Sequence, residues 1–162
     1  MRMLGMRPTG ARALREYVRV VRALLHGEEV DYSADAAGGA SHPIRFTSLE
    51  QKHVRLDPPP PIHVAGNGPL SQAVAGEIAD GLCTTYPRGG TIAEAMANVR
   101  RSAARAGRTL PADFHTAAMV NMLMLAPGES LTSARVIGEI GPAVMTNFHY
   151  LVDWVRETGK EP

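Results

Sequence analysis

The stretch IHVAGNGPL, residues 62–70, constrains the chain more than any other segment. Four prolines, at 58–61, stand directly before it and bar both helix and central strand. The chain therefore arrives stiff and extended. Residues 62–65 predict a short strand, Gly66, Asn67 and Gly68 a sharp reversal, and Pro69 the first turn of a helix, where a missing N–H costs nothing. The two glycines are expected to take backbone angles closed to other residues and to leave room for a ligand. Asn67 tolerates left-handed geometry and can cap. A helix opening on such a corner offers free N–H groups and the positive end of its dipole, an arrangement suited to a phosphate. The pattern lacks the spacing of the dinucleotide fingerprint and the lysine of the P-loop, and a purely structural turn is the competing reading.

The segments on either side set this corner in an alternating α/β order. Leu14, Tyr17, Val18, Val21, Leu24 and Leu25 fall at helical spacing, with arginines opposite, and Gly27 ends that helix. Residues 28–61 form a loop region with extended pieces expected at 29–32 and 44–47. Leu70, Val74 and Ile78 line one face of the helix after the corner, and residues 82–86 give the next strand, followed by a loop at 87–90. Thr91 and Glu94 form a capping box for a helix that runs to about Ala106 and stops at Gly107. Residues 114–126 are mostly apolar. Their place after a helix and Pro111 favours a buried strand, although periodicity also allows a helix. A largely helical tail follows, with an interruption expected at Gly141 and Pro142 and apolar anchors at Leu151, Val152, Trp154 and Val155. Alternation of this kind predicts a parallel sheet with right-handed crossovers, either doubly wound or a (β/α) barrel.

Composition narrows the function classes. A net charge of +1 over 162 residues gives no pull toward nucleic acid or an anionic membrane. Arg100, Arg101, Arg105 and Arg108 read as the wet face of an amphipathic helix whose other side carries Ile92, Met96, Val99 and Ala103. No apolar run is long enough to span a bilayer, and the first ten residues lack the apolar core of a signal peptide. The lone Cys83 allows no internal disulfide. It reads as a small buried residue in a strand and suits a reducing compartment, the cytoplasm.

The string PIHVAGNGP followed by AVAGEIADGLCTTY resembles the matching stretch of luciferase-like monooxygenases and their F-420-dependent relatives. Upstream, LREYVRVVRALLHGEEVDY is similar to the family's helix and hairpin lead-in, and downstream VRRSAARAGRTL is similar to its next barrel helix. The resemblance covers roughly residues 10–126 in order. It implies a (β/α)8 barrel that binds reduced FMN or deazaflavin F-420, with a small-molecule substrate. By position it places Ala65, Gly66, Asn67 and Gly68 against the cofactor phosphate, with Thr84 and Thr85 beside them. Ordinary β-propensity is the competing account of the two threonines. Family members often carry Ala–Gly or Ser–Gly where this chain has Gly66–Asn67, so the Asn67 side chain either contacts the phosphate or crowds it.

A closed barrel of this kind needs about 250 residues. The resemblance aligns Met1 just past the middle of the barrel, so residues 1–162 are expected to form one partial barrel domain, its C-terminal half. No catalytic residue carries over. Exposed strand edges predict pairing with a second copy or with a complementing N-terminal half. The competing function is a split or truncated product serving as a non-catalytic assembly module.

Several other residues have plain readings. The histidines at 26, 42, 53, 63, 115 and 149 show no metal-ligand spacing. His63 is expected to be a packed or edge residue, with the cofactor mouth as the alternative. Asp80 reads as a turn residue and Met119, Met122 and Met124 as core filler. Glu50 and Asp57 have no partner visible in the sequence.

Overall fold

The computed structural model describes residues 10–33, 40–47, 55–85 and 90–159. The expectations placed on residues 1–9, on Glu50 and His53, on Tyr86 and the loop at 87–89, and on the Trp154 side chain lie outside the described residues. In chain order the elements are α1 (Ala11–Leu25), β1 (Val30–Tyr32), β2 (His42–Ile44), β3 (His63–Ala65), α2 (Pro69–Ile78), β4 (Gly81–Thr84), α3 (Ile92–Arg105), β5 (His115–Ala118) and α4 (Ala134–Thr158).

Two sheets result. β1 and β2 form a small antiparallel pair, in which Val30 faces Ile44 and Tyr32 faces His42. β2 thus lies slightly earlier in the chain than the extended piece expected at 44–47. β3, β4 and β5 form a parallel sheet in that order, with His63 beside Gly81 and Gly81 beside His115. Each neighbouring pair is joined through a helix, α2 or α3, as parallel pairing requires.

The period-two alternation of a strand decides what each face of this sheet carries. Val64 and Leu82 point to the helix side and are buried with Val74, Ala75, Ala79, Ala95 and Val99. Gly76 brings α2 and α3 into contact, since a Cβ there would lie 2.2 Å from the Val99 carbonyl oxygen. α1 adds Val18 to this core. The opposite face carries His63, Ala65, Gly81, Cys83, His115 and Ala117. There the rings of His63 and His115 stack at 4.9 Å across Gly81.

Ion pairs tie the periphery to this core. Arg15 of α1 pairs with Glu77 of α2. Asp80 is more than a turn residue. Its carboxylate accepts from the Ile62 N–H at 2.9 Å and from Arg22 at 2.9 Å, and it stands 4.0 Å from Arg108. Burial opposes its charge, but the Ile62 N–H, Arg22 and Arg108 together hold its pKa below the ordinary carboxylate value.

Several expectations are corrected. Arg108 is not on the wet face of α3, because it lies beyond the helix end and turns inward to donate to the Gly76 carbonyl at 3.1 Å. Tyr17 and Leu70 fall at helical spacing yet are 62% and 70% exposed, while Val20, on no expected stripe, is buried. Cys83 is only half-buried, because it lies on the face without helices. The buried strand expected at 114–126 is confined to His115–Ala118, and its burial is slight. Its last rung runs from the Met119 N–H to the Thr84 carbonyl at 2.8 Å. Met119 and, beyond it, Met122 and Met124 are exposed rather than core filler, because β5 is an edge of the described sheet and nothing among the described residues covers its outer side there.

The tail differs too. α4 continues through Pro142 without a break, its N-terminus capped by the Ser133 hydroxyl. Gly138 sits where the proline ring presses on the preceding turn, which eases the clash that ends most helices. Leu151, expected as an anchor, is 39% exposed, and Val152 and Val155 are only half-buried. No other helix or strand packs extensively along α4 among the described residues. It is also the longest of the described helices, and none of them is both long and apolar enough to cross a membrane.

Candidate functional site

The C-terminal edge of the parallel sheet is where the chain turns from each strand into a helix, and the two described turns differ. After β4 the chain enters α3 through a closed cap. The Thr91 hydroxyl accepts from the Glu94 N–H at 3.2 Å, and the Glu94 carboxylate accepts from the Thr91 N–H at 2.6 Å. The cap thus satisfies the Glu94 N–H, and a carboxylate stands at that helix end. Those same bonds, the backbone one first, hold the Glu94 pKa below its ordinary value.

The turn after β3 has the opposite character. The last rung runs from the Gly66 N–H to the Cys83 carbonyl at 2.8 Å. Gly68 then caps α2 with extended angles (φ −108°, ψ 162°), and no side chain bonds to the freed amides. Pro69 occupies the first turn, which carries no acidic residue. The Gln72 N–H donates back to the Gly68 carbonyl at 3.1 Å. The N–H groups of Leu70 and Ser71 find no partner among the described residues and face out of the helix end.

Neither glycine is required for an unusual backbone angle, contrary to the sequence expectation, and Gly66 alone of the two is required for space. Positive φ occurs among the described glycines at Gly27, Gly107, Gly128 and Gly159, and at neither Gly66 nor Gly68. A Cβ on Gly66 would lie 2.7 Å from the Ser71 hydroxyl oxygen, whereas a Cβ on Gly68 would meet nothing within 4 Å. Gly66 therefore lets the turn close, and Gly68 leaves open volume in front of the free amides.

Asn67 has a definite role. Its Oδ1 accepts from the Thr84 hydroxyl at 2.9 Å and from the Thr85 N–H at 3.0 Å, and its Nδ2 donates to the Thr85 hydroxyl at 2.8 Å. The side chain is turned toward the end of β4 and binds the two turns together. Thr84 is buried, with its hydroxyl proton directed to Asn67. Thr85 is exposed, and its hydroxyl, which accepts from Asn67, keeps its own proton for another acceptor. The structure thus brings Ala65, Gly66, Asn67, Gly68, Thr84 and Thr85 to one place, with Thr84 facing inward and Thr85 outward.

Two residues of this corner escaped the sequence reading. The buried Gln72 donates to the Asn67 carbonyl at 3.4 Å and accepts from Asn98 at 3.2 Å, and Asn98 also donates to the Pro69 carbonyl at 2.8 Å. The signal for Gln72 was present. It falls three, four and seven residues before Ala75, Gly76 and Ala79, a polar residue in the buried stripe of its helix.

No side chain of the corner titrates near neutrality, so it can bind and orient but cannot move a proton. His63 stands at the other end of β3, on the face without helices and stacked on His115. Among the described residues no three His, Cys, Asp or Glu side chains gather as a metal set.

A comparison with protein families finds a match to luciferase-like monooxygenase over residues 5–136. That span holds the parallel sheet, its two connecting helices and the whole open corner. Membership of this family points to an oxidoreductase-type function. The chain belongs to the luciferase-like monooxygenase family.

Proposed function

We propose that the corner at Ala65, Gly66, Asn67 and Gly68, together with Thr84 and Thr85, seats the phosphate of a reduced flavin (FMN) or of deazaflavin F-420 in an oxidoreductase acting on a small organic substrate. The observation that carries this reading is the contrast between the two turns: a carboxylate closes the first turn of α3, while the first turn of α2 has neither a carboxylate nor a side-chain cap and leaves the amides of Leu70 and Ser71 unpaired before open volume. The residues fit such a group. A phosphate there meets the positive end of the α2 dipole and no carboxylate in the first turn. The free proton of Thr85 adds a donor from the neighbouring turn.

The bound cofactor would supply hydride transfer or oxygen activation, and the chain's contribution is to hold and orient it. Asn67 fixes the spacing between the two turns. Gln72 and Asn98 hold the first turn of α2 against α3. F-420 is preferred over FMN only because the overall phrasing of the sequence is closer to that branch of the family. On this reading the three parallel strands are a segment of a (β/α)8 barrel. The face bearing His63, Ala65, Cys83 and His115 is the inward one, completed by further strands. The single free cysteine suits the reducing cytoplasm.

The test is a fluorescence titration with FMN and with F-420. Binding tighter than about 10 µM by either cofactor, weakened when Gly68 is replaced by a bulky residue, supports the proposal. A well-folded sample that binds neither would favour a non-catalytic assembly module.

A further inference from the structure

α4 lies almost wholly beyond the residues matched to the family. It is 25 residues long, or about 37 Å. Ile137, Val144, Met145 and Phe148 are each more than half exposed along it, and Leu151 is 39% exposed. The apolar positions follow a regular seam. Ile137, Gly141, Val144, Phe148, Leu151 and Val155 are separated by four, three, four, three and four residues, the spacing that keeps one stripe facing a partner helix.

The order of these steps reads the same in both directions, with its centre at residue 146. Two copies laid antiparallel about that centre place Ile137 against Val155, Gly141 against Leu151 and Val144 against Phe148. Small faces large at the inner two contacts, as interdigitated packing requires. The charges agree with this arrangement. Arg135, Glu139, Asp153, Arg156 and Glu157 are the charged residues of α4, and none falls on the seam or on its flanking positions 138, 140, 145, 147, 152 and 154. Pro142 also stands outside the seam. The stripe and its flanks would bury on the order of 1,200 Å² over two copies, the lower edge of what a specific dimer needs.

We infer that α4 is a self-association surface, through which a second copy of this chain docks antiparallel with a two-fold axis at residue 146. A two-fold contact of this kind closes on itself and stops at the dimer. It is independent of the cofactor reading, since it uses no residue of the corner.

The test is sedimentation equilibrium of the full chain, alone and as two charge variants, Val144→Glu and Phe148→Lys. The wild-type chain is expected to dimerise at micromolar concentration. Each variant alone is expected to raise the dissociation constant at least tenfold, because it sets a charge against an apolar partner. An equimolar mixture of the two is expected to recover the dimer as a one-to-one pair. The carboxylate introduced at position 144 of one copy then meets the ammonium introduced at position 148 of the other, and the second contact stays native. Helix content by circular dichroism should be unchanged throughout. A wild-type chain that remains monomeric at about 100 µM overturns the inference. So does a dimer indifferent to both substitutions, a mixture that stays monomeric, or association that appears only with a different protein.

Discussion

Replacing Gly68 with aspartate should strengthen the fold and weaken cofactor binding together. Gly68 already has the extended angles of a helix cap, and its missing side chain leaves open space. An aspartate there can accept from the unpaired amides of Leu70 and Ser71, which glycine cannot. The better cap contributes a few tenths of a kcal/mol, and the charge at the helix N-terminus adds about 0.3–1 kcal/mol. For a chain of this size about 1 kcal/mol raises the melting temperature by about 2–4 °C. The same carboxylate occupies the donors meant for the phosphate and repels it. Loss of two charge-assisted bonds of about 1.5–3 kcal/mol each, reduced by solvent exposure, still predicts more than about a tenfold fall in affinity. Thermal unfolding and a cofactor titration on the same sample read both effects. A stabilised Gly68→Asp protein that binds FMN and F-420 as tightly as the wild type would refute the assignment of this corner.

Three further substitutions probe what holds the corner in place. Asn67→Ala should cost about 1–3 kcal/mol in urea unfolding, because the buried Thr84 hydroxyl loses its acceptor, and cofactor affinity should fall as Thr85 comes loose. Gly76→Ala should cost about 2 kcal/mol in the same assay, the overpacking against Val99 exceeding the gain in helix propensity. Asp80→Asn should cost about 1 kcal/mol at neutral pH, after allowance for solvent at a side chain 27% exposed. Since the folded pKa of Asp80 is depressed, its contribution is complete above the ordinary carboxylate range and is lost as pH falls below about 4. Asp80→Asn should therefore flatten that part of the acid limb of the stability profile.

What could be read from the sequence was what is decided locally. The Thr91–Glu94 capping box, the glycines that end α1 and α3, and the strand-to-helix turn after residue 65 all depend on neighbours a few residues apart. What could not be read depends on distant contacts. The partner of Asn67 lies at residues 84 and 85, on another strand and the turn after it, so its composition could not say whether it faced a ligand or the protein. The positive φ expected at Gly66 is absent, and what the structure requires there is clearance. A glycine required for clearance from Ser71 and one required for a positive φ are identical in a sequence. The apolar run at 114–126 promised burial, but burial needs a covering neighbour, and the edge position of β5 provides none among the described residues.

Whether the open end of α2 takes a phosphate decides the functional reading. The most direct measurement compares FMN with riboflavin, which differs only in lacking that group, in parallel titrations of the wild-type chain. Binding of FMN at least about tenfold tighter, with the margin lost in Gly68→Asp, is the predicted result. Equal affinity for the two, or an advantage for FMN untouched by Gly68→Asp, would contradict it.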